Sequence, residues 1–471
     1  MVRPVLAVCL VIAASGCGRF PTPSPVQAQD GELRSVRDFG AVGDGETDDA
    51  DAFDRAVRAG RGGLRLPAGR YRLSRTIDID LDAVGPFSIQ GDGTATLVMA
   101  GPGPALRLTG THAGTADPNS VEPAVWERQR TPLVDGFEIV GDHASADGLE
   151  IRGTMQATVS RLGVRRARHG IVLTGRNRNI LIDTVHLYDN RGVGLLLEKL
   201  NLHQINVSDS HISYNGGGGI VVRESEVRNL QIGTCDIEAN MDPQGPPTAN
   251  VFLDVRKGSV REGAIVGCTL QHHHDAAGSA NIWMLGEAKQ PHKAGYFSIS
   301  ANALSDVFVN VRLEHVRGVS IMGNSFWKGF DHDLLAVGSS NLVIGPNVFD
   351  RNPDYQPADS ANGVLLEDVR DSTIQGAHLN GSLAADGALV LRRCENVNID
   401  GVQILDARGP GLRLEDSRDI RVSDSVLRNA GEADWTAVAA RGGGGNLLID
   451  NRIQGRVDIA GTAARVVDGA R

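Results

Sequence analysis

The chain has 471 residues, a net charge of −10 at pH 7, 58 glycines and only 4% aromatic residues. Its negative charge argues against a nucleic-acid partner, because a protein that binds a polyanion usually needs a basic face. A chain of this length ordinarily forms two or three domains, unless its core grows by stacking one small unit on another.

The N-terminal residues predict export. The apolar run from Val5 to Ala14 is too short to span a bilayer and is typical of a secretory signal. Cys17 resembles the lipidated cysteine of a bacterial lipoprotein. We therefore predict a signal peptide of the lipoprotein type over residues 1–17 and a flexible, proline-containing linker over 18–32. Ordinary signal cleavage after Ala28 is the alternative, which would give a secreted or periplasmic protein instead of an outer-membrane or cell-surface lipoprotein.

The next segment has the signals of a helical cap. Its apolar residues recur at helical spacing: Ala52, Phe53, Ala56 and Val57. Asp48 or Asp49 can cap this helix, and acidic residues at its start favour the positive end of the helix dipole. Residues 62–71 then predict a short strand and a turn. The helix is expected to cover the open end of the first coil, where exposed strand edges would otherwise pair with other chains.

One motif then occurs thirteen times: apolar, any, apolar, two residues, small or polar, any, apolar. Its sixth positions serve as anchors: Phe137, Leu162, Val185, Ser210, Cys235, Cys268, Asn302, Asn324, Asn347, Ala377, Val402, Ser425 and Asn451. Successive anchors lie 22 to 34 residues apart, with period-two alternation inside each unit. This pattern predicts an all-β solenoid, a parallel β-helix of about 13 coils.

Each coil is predicted to contain three strands, which we call first, second and third. In one coil they are residues 219–223, 230–233 and 236–238, and the anchor lies at the turn between the second and third strands. Four anchors are asparagines: Asn302, Asn324, Asn347 and Asn451. Asparagine tolerates left-handed backbone, and its amide can bond to the equivalent asparagine above and below. These anchors are therefore predicted to be structural.

Three insertions are predicted to enter at one corner, after the third strand: residues 241–250, 272–281 and 351–362. Insertions at one corner of a solenoid stack as loops along one edge, and loops of this length are usually functional or disordered. We expect them to wall a groove beside the first strands.

Cys235 and Cys268 share a repeat position in adjacent coils, close enough for a disulfide, although buried free thiols are the preferred prediction.

The segment from Val36 to Tyr71 resembles the opening motif of the pectate lyase superfamily, the right-handed parallel β-helices that include polygalacturonases, related lyases and phage tailspikes. It reads VRDFGAVGDGETDD over residues 36–49, with Ala50 where Thr is usual and Asp54 where Gln is usual. The resemblance implies a right-handed β-helix domain over residues 33–471, including the cap. It also implies a carbohydrate-active protein, usually one that acts on an acidic polysaccharide.

The motif belongs to the cap and does not identify a reaction. The sequence lacks the Gly-His-Gly and Arg-Ile-Lys motifs of polygalacturonases, so a standard polygalacturonase is not predicted.

A carboxyl pair on one third strand is the candidate for hydrolysis, which needs one carboxyl as acid and another as base or nucleophile. Asp236 and Glu238 point the same way, about 6.5 to 7 Å apart by strand rise. His211 lies one coil away and can tune Asp236 as well as contact substrate. The alternative is a solvated polar face.

Lyase chemistry needs a base together with cations that stabilise an enolate. Arg223 and Arg256, with Asp254, are the candidates near the first strands. Glu198, Arg223 and Asp254 alternate in sign in adjacent coils, however, and an exterior ladder of salt bridges would show the same pattern.

Substrate contacts are predicted for His272, His273, Trp283 and Trp327. Neighbouring residues on an extended chain point in opposite directions, so at most two of the histidines at 272–274 could share an ion, and no metal site is predicted. Each tryptophan is expected to face outward, either as a flat apolar platform for a sugar ring or as a packed support for a loop.

These features predict an exported polysaccharide lyase or glycoside hydrolase that acts on an acidic polysaccharide. The alternative is a non-catalytic, glycan-binding or structural surface β-helix. The predicted partner is a polysaccharide, not nucleic acid, and the membrane is reached only through a lipid anchor. The chain is predicted to be a monomer or a homotrimer without a cofactor, although a divalent cation stays open.

Overall fold

The computed structural model describes residues 33–59, 62–114, 116–355, 360–431 and 434–467. The predicted signal peptide, the lipidation site at Cys17 and the linker over 18–32 lie outside the described residues. In the described ranges, none of the helices is both long and apolar enough to cross a membrane.

The described chain is a right-handed parallel β-helix, as predicted, with three stacks of parallel strands. The stack of first strands comprises Ile77–Asp80, Gly103–Thr109, Ala146–Arg152, Ile171–Asn177, the start of Val193–Ser208, Gly218–Arg223, Ala249–Asp254, Ala280–Leu285, the ends of Ala303–Glu314 and Ser325–Val337, Gly363–Glu367, Leu389–Arg392, Leu412–Glu415, Thr436–Arg441 and Arg456–Ile459.

The stack of second strands comprises Arg34–Ser35, Leu64–Leu66, Ser88–Gly91, the starts of Leu133–Gly141 and Thr158–Arg165, Ile180–Asp183, the end of Val193–Ser208, Glu226–Gly233, Ser259–Val266, Ala294–Ser300, Arg317–Met322, Val343–Ile344, Arg370–Gln375, Glu395–Asp400, Arg418–Ser423, Asn446–Ile449 and Ala464–Val467.

The stack of third strands comprises Asp44–Asp48, Gly69–Leu73, Ala95–Met99, the ends of Leu133–Gly141 and Thr158–Arg165, His186–Tyr188, His211–Ser213, Asp236–Glu238, Thr269–Gln271, the starts of Ala303–Glu314 and Ser325–Val337, Val348–Asp350, His378–Asn380, Gln403–Leu405, Val426–Arg428 and Arg452–Ile453. The helical segments are short: Val36–Phe39, Ala50–Arg58, Leu81–Val84, Pro118–Ser120, Val125–Gln129 and Pro291–Lys293.

The predicted number of about 13 coils counts only from Phe137 and is not confirmed. Strands Leu64–Leu66 and Ser88–Gly91 already belong to the stack of second strands, and they precede that first anchor. Stacking therefore begins well before the first anchor, where Arg34–Ser35 pairs with Leu64–Leu66.

The cap helix covers residues Ala50–Arg58, as predicted from its apolar spacing. Phe53 is fully buried, and its ring lies 5.6 Å from that of Tyr71 in an edge-to-face arrangement. Asp48 accepts a hydrogen bond from the backbone N–H of Ala50 at 3.2 Å. The Asp49 carboxylate instead accepts from the backbone N–H groups of residues 42 and 43, so the two acids have different structural roles.

The main apolar core runs through the coils, because alternate residues of most strands point inward. On one first strand Ile220 and Val222 are fully buried, and Ile220 lies in register with Leu195 and Val251 of the adjacent coils. Burying one such side chain contributes about 1.5 to 3 kcal/mol. Each coil is therefore stabilised mainly by its two neighbours.

The asparagine anchors form the predicted ladder. Asn302 Nδ2 donates to Asn324 Oδ1 at 3.0 Å, and Asn324 Nδ2 donates to Asn347 Oδ1 at 3.0 Å. The left-handed residue of this corner is the one before the anchor, such as Asp209 or Ala301, and not the anchor asparagine itself. The anchors thus serve the turn through their amides, while the preceding residue supplies the backbone conformation.

Substitution of Asn324 by Ala is expected to lower the free energy of unfolding by about 1 to 3 kcal/mol, because it leaves buried groups of Asn302 and Asn347 unpaired. Urea unfolding followed by circular dichroism measures this loss. The matched control is Asn206→Ala, since Asn206 is exposed on a second strand and should change stability by about 0.5 kcal/mol or less. Equal losses in both variants would contradict a stabilising ladder.

A second buried ladder, which the sequence analysis missed, lies at the corner between the third and first strands. Its successive members are Asn190, Asn215, Asn240, Asn250, Asn281, Asn310 and Asp333. Each asparagine amide donates to the next member at 2.7 to 2.9 Å. Asn362, which lies in a later coil, also donates to Asp333 at 3.1 Å. The buried Asp333 carboxylate therefore accepts hydrogen bonds from asparagines on both sides of its coil.

Insertions occur at two corners instead of one. Residues 239–248, 272–279 and 351–362 follow third strands, as predicted. Residues 255–258 and 286–293 lie between first and second strands, and the sequence analysis did not identify this set. The surface of the first strands therefore has loops on both sides.

The three cysteines among the described residues are free and buried: Cys235, Cys268 and Cys394. Cys235 and Cys268 lie in adjacent coils as unbonded thiols, in agreement with the preferred prediction. Burial raises the pKa of Cys394 to about 11, so that thiol is unreactive at neutral pH.

Candidate functional site

The outward side chains of three neighbouring third strands form a polar surface, which we call the third-strand face. It comprises His211, Asp236, Glu238 and Gln271. The backbone places Asp236 beside His211, and Glu238 beside Gln271 of the next coil. Their neighbours on the strand, such as Ile237, point into the core. Strand alternation alone therefore brings these groups to one surface.

Asp236 has one unsatisfied carboxyl oxygen. In the described part of the chain its Oδ1 is buried without a hydrogen-bond partner, while Oδ2 lies 3.8 Å from His211 Nδ1. Burial and the nearby Glu238 carboxylate raise the pKa of Asp236, and His211 and His272 only partly oppose this. The site therefore favours a protonated Asp236 more than an ordinary surface would.

Glu238 has a different environment. Its Oε2 accepts a hydrogen bond from Gln271 Nε2 at 2.9 Å, and the side chain is half-buried. Two residues of strand rise separate Glu238 from Asp236, which corresponds to about 6.5 to 7 Å. Two neighbouring carboxyls in unlike surroundings are the arrangement that assigns one as acid and the other as base.

A buried ion pair that the sequence analysis missed lies farther along this side. Lys328 Nζ is 3.8 Å from Asp306 Oδ1, and the two side chains are only 3% and 5% exposed. The Lys328 ammonium also lies over the rings of Tyr355 and Phe330, at 4.4 and 5.3 Å. His272 is close enough to influence the pKa of both Asp306 and Asp236, so it links the ion pair to the third-strand face.

The position within the repeat, counted from the anchor, was the signal that could have revealed the pair of Asp306 and Lys328. The fourth position after the anchor is His272, Asp306 and Lys328 in consecutive coils. All three have left-handed backbone at the corner that follows the third strand. The sequence analysis considered only the first and third positions after the anchor.

The other predicted substrate contacts have separate surroundings. His273 points toward Asp275, with 3.7 Å between His273 Nδ1 and Asp275 Oδ1. Trp327 is half-buried, packs edge-on against Tyr355 at 5.8 Å, and lines a depression of about 350 Å³ together with Asp350. Trp327 therefore keeps a surface position beside an open depression.

Trp283 points away from the core as predicted, but it does not offer an open face to a sugar ring. It is only 9% exposed, with Phe252 stacked on one side at 4.5 Å and Arg312 over the ring at 4.2 Å. Its Nε1 donates to Glu314 Oε1 at 3.0 Å. Of the two predicted roles, these contacts match the packed support, because side chains of adjacent first strands cover the indole.

The remaining candidates line a separate cavity of about 470 Å³, which we call the charged cleft. Its lining residues are Arg223, Glu224, Asp254, Arg256, Lys257 and Glu287. The insertions between first and second strands form one side of this cleft. Asp254, Arg223 and Arg256 are thus brought together, but apart from Asp236 and Glu238.

The cations of the charged cleft already have acidic partners. Arg223 Nε lies 2.5 Å from Glu198 Oε1, and Lys257 Nζ lies 3.1 Å from Glu224 Oε1. Arg256 donates two hydrogen bonds to Asp254, at 2.9 and 2.6 Å. Burial by itself would raise the pKa of Asp254, but the bonds from Arg256 outweigh it and lower that pKa. A carboxylate held in this way is a weak base.

Within the described ranges, no group of three or more His, Cys, Asp or Glu side chains could hold a metal ion. The histidines at 272–274 alternate in direction, so His272 and His274 lie near Asp306 while His273 contacts Asp275.

Comparisons with known proteins agree with the fold. Residues 33–245 match the family described as rhamnogalacturonase A/epimerase, pectate lyase-like. Alginate lyase 7 of Azotobacter vinelandii is 52% identical over 44 residues, which cover 8% of this chain and 5% of that protein. The pre-neck appendage protein of Bacillus phage B103 is 44% identical over 50 residues, 11% of this chain and 6% of that protein.

The chain thus spans a small fraction of the length of the curated relatives it matches. Among solved structures, the pre-mature bacteriophage phi29 gene product 12 is similar, with a TM-score of 0.51 and 15% identity over 92% of this chain and 56% of that one. At this identity the likeness concerns the fold alone.

Proposed function

The protein belongs to the pectate lyase-like superfamily, and we propose that it is an exported enzyme that hydrolyses glycosidic bonds of an acidic polysaccharide at the third-strand face. Asp236 is the proposed acid and Glu238 the proposed base. The observation that carries this proposal is the contrast between the buried, unpartnered Oδ1 of Asp236 and the hydrogen-bonded Oε2 of Glu238.

In the proposed reaction, protonated Asp236 gives its proton to the glycosidic oxygen as the bond between that oxygen and the anomeric carbon breaks. Glu238 takes a proton from a water molecule, whose oxygen forms the new bond to the anomeric carbon. The backbone rise between the two residues is about 6.5 to 7 Å. A carboxyl separation in that range would leave room for the water and favour inversion of configuration. His211, beside Asp236, supports the negative charge that Asp236 acquires after it has donated its proton.

A lyase reaction in the charged cleft is the second candidate, favoured by the three cations that line one cavity. Arg223, Arg256 and Lys257 could stabilise an enolate beside a uronate carboxylate. Their present pairing with Glu198, Asp254 and Glu224 argues against it, because substrate would first have to displace those partners. Glycan binding without turnover is the non-catalytic alternative.

A panel of acidic glycans that includes polygalacturonate, rhamnogalacturonan and alginate distinguishes these functions. The proposal predicts new reducing ends without the ultraviolet absorbance of unsaturated products. Unsaturated products would instead support the lyase reaction. Binding to any member of the panel without release of products would contradict both enzymatic proposals and support a binding protein.

A further inference from the structure

A column of basic side chains runs along the start of four second strands, where the chain leaves the corner that follows the first strand. It consists of Arg178, His203, Arg228 and Arg261, and we call it the basic column. His203 is in register with Arg228, and Arg228 with Arg261, while the residue after Arg178 donates its backbone N–H to the carbonyl of His203. Neighbouring members are therefore about 4.7 to 4.9 Å apart along the axis.

Such a column is unfavourable by itself. Like charges directly opposite on neighbouring strands destabilise a sheet. Burial and the adjacent Arg261 lower the pKa of Arg228, while Glu226, at 3.5 Å, and Glu262 oppose this. The Arg228 guanidinium also donates to the backbone carbonyls of Val227 and Ser259, at 3.1 and 3.3 Å. In a chain with a net charge of −10, a stack of this kind calls for a physical reason.

Unsatisfied nitrogen atoms concentrate beside the column. Within the described residues, Arg176 Nε, His203 Nδ1 and Arg261 Nε are buried without a hydrogen-bond partner. Both ring nitrogens of His112 are also unpartnered, although this side chain is only 3% exposed and lies near Arg176 and Arg178. Buried polar groups normally have partners, and the two arginine Nε–H groups can only donate, so this cluster indicates a missing acceptor.

A depression of about 290 Å³ adjoins the basic column. Amide and hydroxyl side chains supply most of its lining: Thr131, Gln156, Thr158, Asn179, Gln204 and Asn206. Asn179 and Gln204 directly follow the column members Arg178 and His203. Amides and hydroxyls are suited to sugar hydroxyl groups. Single-stranded nucleic acid would instead call for aromatic stacking, and none of the described lining residues is aromatic.

We propose that the basic column and the adjoining depression bind an acidic polysaccharide chain, with its carboxylate or sulfate groups on the cations and its hydroxyl groups on the amides. Arginines in three of the four coils, with His203 between them, suit a linear polymer with repeated charge better than a compact ligand. The proposal shares the acidic-polysaccharide ligand with the proposed function, but it uses the second strands and does not require catalysis.

The test compares the full-length protein with the double variant Arg228→Gln/Arg261→Gln by biolayer interferometry on immobilised polygalacturonate, dextran sulfate and neutral dextran. We expect the variant to lose at least about tenfold in affinity for one charged polymer, and to show a weaker salt dependence, because two ion contacts are removed. Polygalacturonate and dextran sulfate distinguish carboxylate from sulfate recognition, while neutral dextran should not bind.

The matched control is Arg452→Gln/Arg465→Gln, which removes two exposed charges at the far end of the stack. Equal loss in both double variants, or unchanged affinity in the first, would overturn the proposal. Tighter binding to single-stranded DNA than to either acidic glycan would overturn the choice of ligand. Because neutralising Arg261 relieves like-charge repulsion, Arg261→Gln alone should not lower the melting temperature, so a loss of binding there is not a loss of fold.

Catalysis and this binding are separable. The variant Asp236→Asn should retain full affinity for the charged polymer at the basic column. Loss of turnover with retained binding would support both proposals, whereas binding that does not depend on Arg228 and Arg261 would contradict only the binding surface.

Discussion

Replacement of Asp236 by Asn is expected to lower the rate of glycan hydrolysis by roughly 10² to 10⁴-fold, the usual contribution of a positioned general acid. The amide has nearly the same shape as the carboxylic acid but cannot deliver its proton to the leaving oxygen. Glu238→Gln should cause a loss of similar size, because the attacking water then has no base. Reducing-end release from the most active glycan of the panel measures both effects.

The pH dependence should identify the acid. Burial and Glu238 raise the pKa of Asp236, so the protonated form persists to a higher pH than for an exposed aspartate. Activity is expected to fall as the pH rises through this pKa, since the acid is then lost.

Asp209→Asn is the control for the same chemical change. Asp209 is exposed at the corner of the preceding coil, and asparagine tolerates its left-handed backbone. Its activity should remain unchanged. Full activity in Asp236→Asn, with melting temperatures equal across the three proteins, would exclude this residue as the acid.

Lowering the pH from 7 to 4 is expected to stabilise the coil that contains Asp333. Complete burial raises the pKa of this carboxyl from 3.8 to about 6, although Asn310, Asn362 and the backbone N–H of Gly329 donate to it. The folded chain therefore binds a proton more tightly than the unfolded chain. Protonated Asp333 therefore contributes about 3 kcal/mol to the free energy of unfolding. This contribution is fully present below about pH 4 and is lost as the pH rises through the folded-state pKa of about 6.

Asp333→Asn should remove this pH dependence. At pH 7 the variant avoids the cost of a buried charge, but its new amide faces the donor of Asn362 and loses that bond. Urea unfolding midpoints of the unmodified protein and of Asp333→Asn at pH 7, 6, 5 and 4 isolate the contribution of Asp333, because all other groups titrate alike in the two proteins. The exposed control Asp424→Asn should run parallel to the unmodified protein. Parallel curves for Asp333→Asn would refute a raised pKa at this position.

The fold could be predicted from the sequence because the anchors occupy the same turn in each coil and so mark the repeat. Asn302, Asn324 and Asn347 recur at one repeat position, and their stacked amides could be inferred from that alone. Equivalent positions in successive repeats also predicted that His211 lies beside Asp236 and Arg223 beside Asp254. The structure confirms both, because the register of a parallel stack follows from the repeat.

Features that depend on insertions could not be inferred in this way. The second ladder passes from Asn240 to Asn250 across only ten residues and from there to Asn281 across thirty-one, so its period is lost from the sequence. The two roles predicted for Trp283 could not be distinguished from the sequence, because alternation gives the direction of the indole but not what packs on it. The unpartnered oxygen of Asp236 likewise depends on how tightly its neighbours close around it.

The second ladder is also a chain of aligned amide dipoles. From Asn190 to Asn310 every donor points along the axis toward Asp333, so each bond polarises the next and strengthens it, by about 10 to 30% per bond in the condensed phase. The positive ends of these dipoles converge on the carboxylate and favour its charged form, while burial favours the neutral one. The charge state of Asp333 therefore reflects two opposing effects, burial and the aligned ladder that ends on its carboxylate.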